Sequence, residues 1–456
     1  MTKTVTIYHT NDIHSHFENW PIIVQNIHQA REEAEQAGSS FLYFDCGDFL
    51  DRAHPLTEGT LGTGNTELLN GAAVDAVTIG NNEGITLTKE ELNQLYDKAS
   101  FPILVSNLFQ EDGTRPAWAQ PTKIFHTNGL KIGVTGVTVS YPDFYGSLNW
   151  KVTDPFSELS TILPNLRATC DLVIVLSHLG LRDDEKMAAM FDGIDVILGA
   201  HTHHVLPQGK TVGTTLIAQT GKYGQYVGAV TLDINETTLQ KKATLIALDN
   251  LERDPSTVAL LAQQEQRGQE QLQEVITVLE EPLTVSWTAP CHFSQLMADA
   301  LSEWCEEPIA MINAGVLLQG LPAGPVTKGD LHRICPHPIN PCIVSLSGRE
   351  LQETISIGLS EEMMTKEVKG FGFRGVMMGR LVFTGIEVDE ALLQTEPDRS
   401  ITVRGKALQP EATYQVALLD MFTFGKLFPA VAQSHMKQFL LPETLRDLLA
   451  WKLQKR

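Results

Sequence analysis

In its first half the chain repeats one pattern, a short apolar run rich in β-branched residues followed by a helix-like stretch. The runs are TVTIYHTND (4–12), FLYFDCGD (41–48), DAVTIGNN (75–82), FPILVSN (101–107), LKIGVTGV (130–137), DLVIVLSH (171–178) and DVILGAH (195–201). Between the first two, PIIVQNIHQAREEAEQA (21–37) places Ile22, Ile23, Ile27, Ala30 and Ala34 near one helical face. Nearly continuous apolar strands alternating with helices predict a layered α/β fold whose sheet is buried on both faces.

A chain of 456 residues exceeds one ordinary domain, so two are expected. The pattern changes near residue 250, where DNLERDPSTVALLAQQEQRGQEQLQEVITVLEE is polar and rich in Gln and Glu. Asp254 can cap a helix there and Pro255 can take its first position. The expected division is a first domain over 1–250, an exposed linker helix over 251–284 with Gly268 a weak point, and a second domain over 285–456. The second domain mixes helices such as FSQLMADALSEW (293–304) with strands such as CIVSLSG (342–348).

The net charge of −21 argues against a general nucleic-acid binder, and no apolar run reaches the roughly 18 residues a membrane helix needs. No basic and apolar export leader precedes the first strand, so a cytoplasmic protein with reduced thiols is expected. An acidic protein can still act on phosphates where metal ions supply positive charge. Cys335 and Cys342 flank His337, but their spacing fits no common zinc module, and the nearby prolines suggest an ordinary loop.

The strand ends carry the chemistry. Asp12 and His14 end the first run, Asp48 the second, Asn81 the third, His178 a later one and His201 with His203 the last. Ligands collect beyond the carboxyl ends of strands in such folds. A single strand-end His is more often structural, and an Asp after a strand is commonly a turn residue. Two Asp, one Asn and four His at five strand ends exceed what turns require. Imidazoles with carboxylates and an amide suit Mn, Fe, Zn or Co better than Ca or Mg, and seven side chains suit two ions sharing a carboxylate.

Asp-x-His, Gly-Asp, Gly-Asn, a His after a strand and Gly-x-His-x-His, in this order, resemble the calcineurin-like metallophosphoesterases. HTNDIHSHF (9–17), NAGVLLQG (313–320) and LSGREL (346–351) narrow the resemblance to the 5′-nucleotidase/2′,3′-cyclic phosphodiesterase family. It implies a four-layer α/β/β/α metal domain and a C-terminal α/β (α+β) substrate domain. It also implies one divalent ion, Mn favoured, on Asp12, His14, Asp48 and His203, and a second on Asp48, Asn81, His178 and His201. The ions would activate a shared water for in-line attack on a nucleotide or related small phosphoester.

Many relatives read Gly-Asn-His-Glu-Phe-Asp where this chain has Gly80-Asn81-Asn82-Glu83-Gly84-Ile85, so the His-Asp dyad of the family is replaced by Asn82 and Ile85. Asn82 can donate hydrogen bonds but moves no proton. His54, His204 or His16 could substitute, the leaving group could need no acid, or the protein could be a metal-loaded binding or regulatory protein with little turnover. For the substrate the resemblance implies Asn107, the Asn313 loop and a pair of aromatic side chains; the glycine-flanked segments GFGFRGVMMG (370–379) and LLDMFTFGKLF (418–428) read as pocket walls that present Phe371, Phe373, Phe422 and Phe424, with Arg374 as an anion contact. The family's Asn-x-Gly-Gly-Ile-Arg loop is here Asn313-Ala314-Gly315-Val316-Leu317-Leu318, without its arginine.

Overall fold

The computed structural model describes residues 3–249, 252–370, 372–393, 395–425 and 427–455. They form two compact units, Met1–Glu270 and Gln271–Arg456.

The first unit is built on two sheets. Seven strands run in the order Leu239–Ala247, Tyr226–Ile234, Lys3–Thr10, Ser40–Asp45, Ala76–Val77, Ile103–Leu104 and Ala119–Gln120. Six more run in the order Lys210–Val212, Thr215–Ala218, Val196–Gly199, Leu172–His178, Leu130–Thr138 and Thr122–Thr127. Val5, Ile7, Phe44 and Val230 of the first sheet meet Ile174, Leu176 and Leu198 of the second in one buried core. Leu159, Leu163 and Leu166 of the helix Pro155–Thr169 cover the outer face of the second sheet at Val173, Val175 and Ile197. The helix Trp20–Gln36 buries Ile23, Val24 and Ile27 and packs on Ser40–Asp45. The result is the four-layer α/β/β/α sandwich.

Each strand expected from the sequence is present, but two are cut short, the run 101–107 to Ile103–Leu104. The run 75–82 is strand only over Ala76–Val77, because a helix, Asn81–Thr86, begins straight after Gly80. Its early start is fixed by Glu83, whose Oε2 accepts from the Gly80 N–H at 2.8 Å.

The linker expectation is corrected in extent and in exposure. The helix runs Pro255–Gln271, with Asp254 Oδ2 accepting from Thr257 N at 2.6 Å as its cap, and Val275–Leu279 is a strand paired with Gly324–Thr327. Thr257, Gln264 and Gly268 recur at helical spacing and are buried. Gly268 is a contact point instead of a weak one. A Cβ on Gly59 would lie 2.1 Å from the Gly268 carbonyl oxygen, and one on Gly268 would lie 2.8 Å from Leu56 Cα. Backbone therefore meets backbone where this helix crosses Pro55–Thr60.

The second unit holds a five-stranded sheet in the order Leu381–Thr384, Ala310–Asn313, Thr413–Leu419, Pro341–Ser347 and Lys437–Phe439. LSGREL marks a capping box: Ser347 Oγ accepts from Glu350 N, and Glu350 Oε2 accepts from Ser347 N at 2.7 Å. His337 holds no metal position. Its Nε2 donates to Val316 O at 3.0 Å, its Nδ1 accepts from Arg374 N at 2.9 Å, and burial pushes its pKa down to about 3. Among the described residues no helix is long and apolar enough to cross a membrane.

Two outcomes test this description. Gly59→Ala and Gly268→Ala are each expected to lower the urea midpoint of the first unit, costing about 1–3 kcal/mol through overpacking. That sign opposes alanine's advantage of about 1 kcal/mol as a helix former, so a raised midpoint would refute the close crossing. His337, depressed from its ordinary value to about 3, contributes stability that is present above pH ~6.5 and lost as pH falls toward 3. Stability of His337→Asn should accordingly fall less steeply over that window, by up to about 1.4 kcal/mol per pH unit; equal slopes in the two proteins would be the contrary result.

Candidate metal centre

The parallel strands Lys3–Thr10 and Ser40–Asp45 keep bonding beyond their ends. Cys46 N donates to Thr10 O, Asp12 N to Gly47 O, His14 N to Asp48 O and Ser15 N to Phe49 O, all between 2.8 and 3.0 Å. This zipper sets Asp12 and His14 beside Asp48. In the second sheet the strand Leu172–His178 ends on His178, and the loop after Val196–Gly199 carries His201 and His203.

The side chains converge as two groups, Asp12 with His14 and His203, and Asp48 with His178 and His201, and the ligand-type atoms of each lie within 4.8 Å of one another. His203 Nε2 stands 3.4 Å from Asp12 Oδ1. His178 Nε2 stands 3.4 Å from Asp48 Oδ2 and 4.0 Å from Asp12 Oδ1, so the groups adjoin. The backbone is contorted to achieve this. Asp12, His14, Asp48, His201 and His203 all have φ between +49° and +72°, the left-handed region. Such residues cost on the order of 1–3 kcal/mol each and persist where surrounding structure over-determines them.

Several observations fit divalent ions. Asn81 Oδ1 and His178 Nε2 are buried without a hydrogen-bond partner among the described residues. His178 Nδ1 donates to Cys46 O at 2.7 Å, leaving the Nε2 lone pair for a cation. A Cβ on Gly80 would sit 2.1 Å from Asp48 Oδ1 and 2.6 Å from His178 Nε2, so the space between the ligands exists only because residue 80 is glycine. Burial alone pushes His178 down, yet Asp48 and Asp12 carry its pKa up to about 10, so a proton stands in for the positive charge. Burial likewise opposes ionisation of Asp48, but His178 and His14 hold its carboxyl below the usual range.

Several supporting residues gave no signal that the strand-end pattern could pick out. Glu83 accepts from Asp48 N, Gly80 N and Leu50 N, and its own carboxyl is pushed up to about 7 by burial and by Asp48. Asn11 Nδ2 donates to Asp12 Oδ2 at 2.7 Å. Tyr223, also left-handed, donates its N–H to Asp12 O and meets the His14 ring edge-on at 5.8 Å. Tyr141 Oη lies 3.1 Å from His201 Nε2.

Asn82 and the three histidines that could substitute for the missing acid are placed differently. Asn82 is buried, with Nδ2 at 3.0 Å from Leu50 O and 2.8 Å from His14 Nδ1, so its amide serves the ligand loop. His54 accepts from Leu56 N through Nδ1 as a helix cap and lines a cavity of about 310 Å³ with Phe17, Glu18 and Arg253. His204 is exposed and bonded through Nδ1 to Thr202 Oγ1 at 2.8 Å. His16 lies against the Tyr223 ring at 3.8 Å.

Most of the expected substrate residues are built into the fold. Asn107 is buried, donating to Thr138 O and accepting from Thr138 N, so it bridges loops and lines no channel. Asn313 is buried and donates to Met378 O at 2.7 Å. Phe373 stacks on His337 and Phe422 packs edge-on against Phe428; both are core residues, because each ring is covered by its neighbour. Phe424 is half-buried and parallel to Phe439, and Arg374 is half-buried with its N–H on His337. Phe371 lies outside the described residues.

Residues 5–205 match the model of the calcineurin-like phosphoesterase family, and 275–433 that of the 5′-nucleotidase C-terminal domain. The uncharacterized metallophosphoesterase YunD of Bacillus subtilis is 45% identical over 99% of this chain and 100% of its own. Among solved structures, Haemophilus influenzae NAD nucleotidase superposes with a TM-score of 0.69 at 14% identity, over 100% of this chain and 96% of that one. A 5′-nucleotidase precursor from Thermus thermophilus gives 0.60 at 20%, over 99% and 96%. At these identities the superpositions establish the shared fold alone. The chain belongs to the calcineurin-like metallophosphoesterases, with a 5′-nucleotidase-type C-terminal domain. It is a metal-dependent hydrolase of phosphoester bonds.

Gly80→Ala should remove bound divalent metal while leaving the protein folded, since the added Cβ fills the space between Asp48 and His178. Metal per chain after dialysis, read by elemental analysis, is the measurement. Metal content equal to that of the unaltered protein would contradict the assigned cradle.

Proposed function

We propose that the protein hydrolyses a nucleotide or a related small phosphoester at a two-ion centre held by Asp12, His14, Asp48, Asn81, His178, His201 and His203. The observation carrying this reading is the pair of adjoining ligand groups at the strand ends, with Asn81 Oδ1 and His178 Nε2 buried and unsatisfied. Two divalent ions, when bound, supply Lewis acidity that polarises a phosphoryl group and makes a water acidic at neutral pH. Manganese suits the mixed imidazole, carboxylate and amide set.

The chain's own residues do the positioning. Asp48, placed next to both groups, would be the carboxylate shared by the two ions, and Glu83 fixes it through the N–H groups of Asp48, Gly80 and Leu50. Asn11 and Tyr223 hold Asp12 in the same way. With Asn82 bonded to Leu50 O and His14, and His54 spent on a helix cap, neither is offered to a leaving group. The proposed substrate therefore carries a leaving group that departs without a strong enzyme-bound acid, such as a nucleoside phosphate attached through another phosphate. All six cysteines are free thiols, which suits a cytoplasmic setting.

The test is phosphate release and the formation of the cleaved nucleotide products by the Mn²⁺-loaded protein on nucleoside monophosphates, 2′,3′-cyclic nucleotides, nucleotide sugars and dinucleotides. Activity should be greatest on the phosphoanhydrides and fall by at least about 10²-fold in Asp48→Asn. Metal-loaded protein that releases nothing above the Asp48→Asn background would instead support a binding role.

A further inference from the structure

Beside the second ligand group stands a hydroxyl whose hydrogen is not accounted for. Tyr141 Oη lies 3.1 Å from His201 Nε2, with the two rings tilted at 6.2 Å. An imidazole that gives one nitrogen to a cation carries its proton on the other. With Tyr141 at Nε2, His201 would offer Nδ1 to an ion, and its Nε2–H would then donate to the phenol oxygen. A phenol has one hydrogen of its own to donate as well. Among the described residues His201 is the partner of that oxygen, and it occupies a lone pair, not the hydrogen.

Three other polar groups near the ligands are committed. Asn82 Nδ2 is engaged by Leu50 O and His14, Glu83 accepts from three backbone N–H groups, and Asn11 Nδ2 is bonded to Asp12 and Gly221. Tyr141 is only half-buried. Its position is also rigid. It starts the helix Pro142–Ser147, whose Phe144 and Tyr145 N–H groups donate to Tyr141 O at 3.1 and 3.0 Å. Tyr145 is fully buried, and a Cβ on Gly84 would fall 2.1 Å from its Oη. Gly84 belongs to the short helix that begins at Asn81, so one packed contact registers Tyr141 against the ligand loop.

We propose that Tyr141 contacts the substrate, accepting from His201 Nε2–H while donating its own O–H to a non-bridging oxygen of the bound phosphoryl group. This rests on the phosphoesterase reading above and adds to it a recognition residue for the tetrahedral oxyanion. A neutral donor linked to a ligand couples occupancy by the oxyanion to the orientation of the His201 ring.

Tyr141→Phe tests it by removing one oxygen and keeping the ring. Binding of orthophosphate and of vanadate to the Mn²⁺-loaded protein is measured by calorimetry, and Mn²⁺ binding to the metal-free protein is measured separately. The expected result is a 10- to 100-fold weaker affinity for both anions, as for loss of a hydrogen bond to a charged group, with Mn²⁺ affinity within about twofold of the unaltered protein. Unchanged anion affinity overturns the proposal. So does a fall in Mn²⁺ affinity by the same factor, which would make Tyr141 only an orienting partner of His201. Failure of the unaltered protein to hydrolyse any phosphoester, with anion binding still dependent on Tyr141, would sink the substrate reading and leave this contact standing.

Discussion

Two carboxylates, Asp12 and Asp48, are buried on either side of one imidazole nitrogen, and the rest of the first unit is arranged around that fact. Buried charge is costly unless it is paired, and here the pairing comes from four histidines delivered by three separate loops. The carboxylates can be close only because the parallel strands Lys3–Thr10 and Ser40–Asp45 stay in register past their ends. That register is set by the inter-sheet core of Val5, Ile7 and Phe44, so the site and the hydrophobic layer are consequences of the same pairing. Without a cation the arrangement draws a proton onto His178, which is the electrostatic signature of a place made for positive charge.

Much of this was legible in the sequence. Strands buried on both faces write themselves as continuous apolar runs, and the residue after each run is where a side chain must leave the sheet. Asp12, Asp48, His178 and His201 could therefore be read as neighbours without any knowledge of the topology. Glu83, Asn11 and Tyr141 could not, because their roles depend on backbone groups and rings that are distant in the chain. Glu83 left a trace in its spacing from Gly80, which is that of a capping residue.

The second unit was read less well, for an identifiable reason. Glycine-flanked aromatics such as Phe373 suggested an open pocket wall, but glycine next to an aromatic equally permits close packing. Phe373 lies on His337, and a Cβ on Gly375 would meet its ring at 2.4 Å. In the first unit Asn107 shows a related ambiguity: an amide at a strand end satisfies backbone groups as readily as a ligand, and here it spans Thr138 and Thr153. Gly268 shows the opposite error, since a residue that weakens an isolated helix is what allows this one to lie against Pro55–Thr60.

The left-handed backbone at Asp12, His14, Asp48, His201 and His203 makes the metal-free protein a compressed spring. Glycine at any of these positions would abolish a ligand and relax the main chain at once, so a variant stripped of activity can be the sturdier polypeptide. Stability and competence are thus opposed within the same five residues. A selection that rewarded only robust folding would erode the centre first, and the survival of all five side chains in this chain means that something other than folding maintains them.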